Sequence, residues 1–261
     1  MSYFYETDSD DEKKKPRKLN KKNCGKPVKR LVAIANKDKK NHEFWTTSRS
    51  KDIGNIPSPA RILLLGPPGV GKTNTIKILI LHQRPRFEEV FLVHLDLISQ
   101  DYADMDITEV FDEIPDLDFW ETEEGLPVPK RAIILDDMEF QSSDKERKKR
   151  LAILFRYAST HKNLTVYFSH QSTFDCPSIV RKMSDIWILY KPRSLMEMTT
   201  VENRVGLNKG TLKQLFNTVA SGHRDSICID LKENSPAKLR LNIWKKIQSD
   251  SEEDEEDSTR K

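Results

Sequence analysis

The chain has 261 residues, of which 36% are hydrophobic and 33% charged, and its 44 basic and 41 acidic side chains leave a formal net charge of +3. No apolar run reaches the roughly 18 residues of a membrane span, and the N-terminus lacks the apolar core of a signal peptide, so a soluble intracellular protein without a membrane partner is expected. The three cysteines, Cys24, Cys176 and Cys228, stand far apart without C-x-x-C or zinc spacing, which argues against a disulfide framework or a metal cluster and for a reducing compartment.

Charge is concentrated at the ends. Residues 1–30 run through Asp8-Ser9-Asp10-Asp11-Glu12 into Lys13-Lys14-Lys15-Pro16-Arg17-Lys18, with too few apolar side chains to offset the entropy of ordering, and are expected to form a disordered charged arm. The run Lys13 to Lys18 has the composition of a nuclear import signal and equally of a nucleic-acid-binding arm. Residues 249–261 read as a disordered acidic tail, with seven carboxylates between Asp250 and Asp257. With those seven set aside, the rest of the chain carries +10, 44 basic against 34 acidic residues, a balance suited to a polyanionic partner such as nucleic acid. Residues 31–248 form the expected folded domain. Its first groups able to pack are Leu31-Val32-Ala33-Ile34-Ala35 and Phe44-Trp45.

The apolar run Ile62-Leu63-Leu64-Leu65 then feeds Gly66-Pro67-Pro68-Gly69-Val70-Gly71-Lys72-Thr73, which reads G-x-x-x-x-G-K-[ST], and the apolar positions from Asn74 to Leu81 suit a helix packed on a sheet. A strand and a helix framing a glycine loop make a phosphate-binding P-loop. Backbone N–H groups of the loop, from Gly66 to Asn74, can turn inward on a polyphosphate such as that of ATP, and the helix N-terminus adds partial positive charge. Lys72 would reach the β- and γ-phosphates, and Thr73 would ligate Mg²⁺. Glu89 to Leu95 is a second strand, completing a β-α-β unit. The stretch Asp96 to Lys130 is dominated by acidic residues and reads as a short-helix-and-loop insertion whose carboxylates form a solvated face.

Arg131-Ala132-Ile133-Ile134-Leu135-Asp136-Asp137-Met138-Glu139 places two adjacent carboxylates at the end of a buried strand, the pattern of a Walker B element. Because successive strand residues face opposite sides, the two acids cannot share one task. Asp136 is assigned to the Mg²⁺ shell and Asp137 to the water attacking the γ-phosphate, with Glu139 as the fallback base if the strand continues. A helix from Ser143 to His161 with a basic first half follows. Leu164 to Ser169 is another buried strand, and Gln171 beyond its tip is the candidate for sensing the γ-phosphate or its water. Next come a short helix at Pro177 to Arg181, a strand at Asp185 to Tyr190, helices near Ser194 to Arg204 and Lys209 to Ala220, and paired edge strands Ser226 to Leu231 and Lys238 to Trp244. Alternating strands and helices make an α/β sandwich.

Together, Asp136-Asp137-Met138, the strand ending at Gln171, Phe174-Asp175-Cys176-Pro177-Ser178-Ile179-Val180-Arg181, Asp225-Ser226-Ile227-Cys228-Ile229-Asp230 and Arg240-Leu241-Asn242 resemble, over residues 58–247, the genome-packaging ATPases of Polinton-like elements, virophages and large DNA viruses. These are the viral branch of the FtsK–HerA superfamily. The resemblance implies a RecA-like (ASCE) P-loop NTPase, a three-layer sandwich on a mostly parallel sheet, with the glutamine strand between the P-loop and Walker B strands. It implies ATP and Mg²⁺ as cofactors, and a homo-oligomeric ring around double-stranded DNA that hydrolyses ATP at subunit interfaces. It also implies a capsid or portal vertex as partner and a place in the host nucleus, a viral factory or the virion. Family members often carry a Gly-Arg-His-like turn before the glutamine strand, proposed to place an arginine at a neighbour's γ-phosphate. Here that turn reads Ser159-Thr160-His161-Lys162, so Arg156, one helical turn earlier, is the first candidate and Arg181 the second.

Three other readings share the P-loop. A nucleotide kinase would need an arginine-rich lid and an acceptor pocket. A replication helicase or clamp-loader ATPase (AAA-like) would carry appended domains, for which about 190 folded residues leave little room. A non-hydrolysing assembly protein is disfavoured by the intact Asp136-Asp137 pair.

Overall fold

The computed structural model describes residues 56, 58–96, 100–140, 144–232 and 238–247; the charged arm, the acidic tail and the groups at 31–35 and 44–45 lie outside them. The chain enters strand β1 (Arg61–Leu65), passes through the P-loop into helix α1 (Lys72–His82) and returns as β2 (Glu89–Val93). The acidic stretch, expected to hold only a short helix and loops, contributes a strand, β3 (Glu109–Phe111), before a 3-10 turn at Leu117–Trp120. Three residues are too few for an alternating pattern to register. The strand exists because β2 offers it an edge, pairing Phe91 with Glu109 and Val93 with Phe111.

Strand β4 (Arg131–Asp136) precedes α2 (Lys145–Ile153), which continues through a π-helical stretch at Leu154–Ala158 and a last turn at Ser159–His161. Ser143, expected to start this helix, lies outside the described residues. Asp144 is its cap, its carboxylate accepting from the Arg147 amide at 3.1 Å. There follow β5 (Leu164–His170), α3 (Ser178–Met183), β6 (Ile186–Tyr190), α4 (Leu195–Val205), α5 (Thr211–Thr218), β7 (Ser226–Asp230), β8 (Leu239–Leu241) and β9 (Lys245–Lys246).

These strands form one nine-stranded sheet in the order β3-β2-β4-β5-β1-β6-β7-β8-β9, parallel from β3 to β6 and antiparallel beyond. The central strands are continuous apolar runs because both faces are covered. On one face Leu63, Phe91, Ile133, Phe168 and Trp187 pack with Leu151, Phe155, Val180, Val201 and Phe216 of the helices. On the other, Ile62, Leu64, Leu92, Ile134 and Tyr167 pack with Ile76 and Leu79 of α1 and with Tyr102 and Met105 of the insertion. The result is a three-layer α/β sandwich with β5 between β1 and β4. Each large apolar side chain buried this way contributes about 1.5–3 kcal/mol relative to exposure.

The insertion is also tied down by charge. Lys77 of α1 meets Asp104 at 2.6 Å, and Arg150 of α2 reaches Glu113 at 3.3 Å and Asp116 at 3.0 Å, so its carboxylates are not simply a solvated face. Among the described residues no helix is long and apolar enough to cross a membrane, and no cluster of three or more His, Cys, Asp or Glu could hold a metal ion.

Candidate functional site

Register brings the chemistry to one end of the sheet. Leu65 lies opposite His170 on β5, and Asp136 opposite Ser169, so the P-loop after β1, the acidic pair ending β4 and Gln171 after β5 emerge level with one another. The Gly66 amide donates to the His170 carbonyl at 3.2 Å, stitching the start of the loop to β5. Gly66 is required for space, since a Cβ there would sit 2.6 Å from the Tyr190 Cβ. Gly71 is required for conformation, its φ of 106° lying in the left-handed region.

Helix α1 starts at Gly71 with no side-chain cap and no acidic residue in its first turn, which leaves the leading N–H groups to an anion. Lys72 is 8% exposed, and its ammonium donates to the carbonyls of Gly66 at 2.8 Å and Pro67 at 3.1 Å. Two of its three donors are thereby used and one remains for a phosphate oxygen. Burial pushes the Lys72 pKa down, while the charges of Asp137 and Asp136 push it back up. A cavity of about 370 Å³ opens beside the loop, lined by Gly66, Pro67 and Pro68 with Gln171, Phe174 and Arg193.

The two acids separate as expected, although not through the pleat alone. β4 stops at Asp136, and Asp137 has φ +49°, turning the chain out of the strand. Asp136 is 5% exposed and accepts from the Thr73 hydroxyl at 3.3 Å, whereas the Asp137 carboxylate faces the Gln171 amide, at 3.5 Å the outer limit of a hydrogen bond. The Thr73 hydroxyl and the Asp136 carboxylate are a pair of hard oxygens of the kind Mg²⁺ takes alongside phosphate and water, so these residues fit the ion. Because the strand ends at Asp136, the pleat alternation that would have set Glu139 beside Asp137 does not extend to it. The Glu139 backbone carbonyl instead accepts from Arg147 at 3.2 Å.

Arg156 is not brought to this end. It follows Phe155, whose carbonyl accepts from Arg61 at 3.2 Å, and Arg61 opens β1 at the edge opposite the P-loop. Arg181 lies closer, in a cavity that shares Thr173 with the one beside the loop.

Sequence reasoning missed Tyr102. Fully buried in the insertion, it donates its hydroxyl to Asp136 at 2.7 Å, and its ring lies 5.6 Å from the Lys77 ammonium. Burial, and next the Asp136 charge, push its pKa well up, so it remains a donor. Nothing local marks it, because its partner is 34 residues away. Tyr102→Phe is expected to keep the fold, weaken the Mg²⁺ dependence of nucleotide binding by about five- to tenfold and leave metal-free binding unchanged, the worth of one hydrogen bond to a carboxylate. Magnesium titration of nucleotide affinity reads this out, and an unchanged titration would remove Tyr102 from the site.

His170 supplies a pH signature. Its Nε2 is buried without a partner among the described residues, and burial lowers its pKa from 6.5 against the opposing pull of Asp175 and Asp137. The unfolded chain then binds the proton more readily than the folded one, so stability is full above the unfolded value and falls as pH drops through it towards the folded value. Melting temperature is expected to decline below about pH 6.5, and His170→Asn to flatten that decline. A variant profile parallel to wild type would exclude His170 as the cause.

No family model and no curated protein matches the chain. Solved structures do. The genome packaging NTPase B204 from Sulfolobus turreted icosahedral virus 2, in complex with ATP-gammaS, is similar with a TM-score of 0.50 and 16% identity, over 73% of this chain and 98% of that one. Its complex with AMP gives 0.50 and 17%, over 74% and 100%. EssC (ATPases 2 and 3) from Geobacillus thermodenitrificans gives 0.44 and 11%, over 76% of this chain and 42% of its own. At such identities the likeness is one of fold, and the chain therefore folds as a P-loop NTPase, similar over 74% of its length to a viral packaging NTPase.

Proposed function

We propose that this chain is an ATP-driven motor that moves double-stranded DNA into a viral or virus-like capsid. The observation that carries the reading is the arrangement at the end of the sheet, where Gln171, just after the strand between the P-loop and Walker B strands, meets Asp137 at 3.5 Å. That geometry serves hydrolysis. The P-loop amides and Lys72 hold the β- and γ-phosphates, and Asp137 takes the proton of a water that Gln171 helps to orient. Thr73 and Asp136 would hold Mg²⁺, which supplies charge neutralisation at the phosphate oxygens. A kinase would instead exclude water and bind an acceptor.

The remaining charge on the transferring phosphoryl group would be met by a neighbouring subunit's arginine, Arg156 first and Arg181 second, in a ring around the duplex. Arg156 lies towards the end of the sheet opposite its own loop, so in this reading it would serve a neighbour. DNA contacts would be made to phosphates by the basic body and so be indifferent to sequence, as translocation needs. The capsid or its portal vertex is the partner of this reading, and the host nucleus, a viral factory or the virion its place.

The test is ATP turnover with and without duplex DNA. Turnover is expected to rise with any duplex, affinity to fall log-linearly with salt, and Lys72→Ala subunits mixed into wild type to depress activity more than in proportion. A monomer whose turnover ignores both DNA and mutant subunits would return the kinase reading to first place.

A further inference from the structure

A second cavity, of about 320 Å³, lies between α3, α4 and the sheet, lined by Ser178, Arg181, Lys182, Trp187, Asn203 and Arg204 together with Thr173 and Thr200. Among the described residues its lining holds three cations and no carboxylate. Two other part-buried arginines meet acids, Arg61 with Asp185 at 2.8 Å and Arg131 with Glu89 at 2.7 Å.

Two buried donors here are also unanswered. Trp187 is fully buried, and its indole N–H has no acceptor among the described residues; the Arg181 Nε is likewise buried without one. An indole nitrogen can only donate, and a buried donor without an acceptor costs about 1–3 kcal/mol, so a core that retains one beside three cations is built for an acceptor that comes from outside. Ser178 and Asn203 add a hydroxyl and an amide able to donate, while the Thr200 hydroxyl is already given to the Met196 carbonyl at 2.8 Å.

We propose that this cavity is a second oxyanion site, distinct from the P-loop, that takes one phosphate group. Arg181, Lys182 and Arg204 supply the charge, and Trp187 and Ser178 the neutral hydrogen bonds. A tetrahedral phosphate oxyanion, the monoanion of a backbone diester or the mono- to dianion of orthophosphate, matches the clustered cations and the buried donors. The phosphate comes either from the backbone of a duplex, a source that rests on the packaging reading, or from free orthophosphate. Thr173 lines both cavities and lies two residues after Gln171, so the group would sit against the loop that carries Gln171.

The test uses the full chain with its P-loop saturated by a non-hydrolysable ATP analogue and Mg²⁺, so that added phosphate cannot act there. Orthophosphate is titrated at constant ionic strength and the rise in melting temperature is read as binding. Wild type is expected to be protected. The exposed pair Lys182→Ala/Arg204→Ala should bind about tenfold or more weakly, and Trp187→Phe, which keeps the ring and removes the N–H, about fivefold more weakly. Lys209→Ala/Lys213→Ala removes the same charge outside the cavity and should match wild type. Binding of a labelled duplex then separates the sources. A loss of about tenfold in Lys182→Ala/Arg204→Ala beyond the Lys209→Ala/Lys213→Ala control assigns the backbone. Unchanged duplex affinity with lost phosphate protection assigns the free ion. The proposal is overturned if the cavity variants keep wild-type protection by phosphate. Failure of wild type to bind duplex would sink the packaging reading and leave the phosphate titration to decide the cavity.

Discussion

Replacing Lys72 by alanine is expected to lower ATP turnover at least about a hundredfold, the effect of removing one preorganised donor aimed at developing phosphate charge. Lys72 is 8% exposed and its ammonium is anchored by the Gly66 and Pro67 carbonyls at 2.8 and 3.1 Å, so no mobile surface lysine can take its place. The flanking charges of Asp137 and Asp136 oppose the desolvation that lowers its pKa and help to keep it protonated. Asp137→Asn should behave differently. The amide is isosteric but cannot accept a proton, so turnover should fall by about 10²–10⁴ while ATP affinity stays near wild type. Equilibrium binding of a fluorescent nucleotide beside single-turnover hydrolysis separates the two variants, and an equal loss of binding in both would show that the roles are misassigned.

The largest stability effect is expected far from this site, at the antiparallel end of the sheet. Arg240 is fully buried and Asp230 is 3% exposed, and their side chains meet at 2.6 Å. Asp230→Ala would take the carboxylate away from a guanidinium buried in the core next to Cys228, whose thiol burial already pushes up to about 12. The loss should be about 3–5 kcal/mol, a large share of the roughly 5–15 kcal/mol of a typical domain. The double change Asp230→Leu/Arg240→Met should cost less, since it removes both members of the buried pair together. Urea unfolding measures both, and equal costs would mean that the single variant acts through lost packing rather than through the broken ion pair.

This pair explains part of the family-like pattern at the C-terminus. Asn242, at φ +49°, accepts from the Ser226 amide at 2.8 Å and donates to Asp225 at 3.0 Å, so Asp225-Ser226, Asp230 and Arg240-Leu241-Asn242 are the fastening of β7 to β8. These contacts join neighbouring strands, and the motif is architectural where Gly66 to Thr73 is chemical.

What the sequence by itself determined was whatever is written within a few consecutive residues. Gly66 to Thr73 between an apolar run and a helix, the two acids after Ile133-Ile134-Leu135, and the unbroken apolar strands that require cover on both faces are local patterns. They were enough for an α/β sandwich and for Lys72, Thr73, Asp136, Asp137 and Gln171 as its site candidates. Tertiary structure alone decided the contacts that join distant segments. Strand β3 needs the free edge of β2, Tyr102 reaches Asp136 across 34 residues, and the Arg240–Asp230 pair appears only once β7 and β8 are side by side. The same holds for Arg156, which periodicity placed on a helix and the fold placed at the edge opposite the P-loop. Local sequence restricts backbone angles and the face a side chain takes, whereas the partner of a buried polar group is set by which segments the whole core packs together.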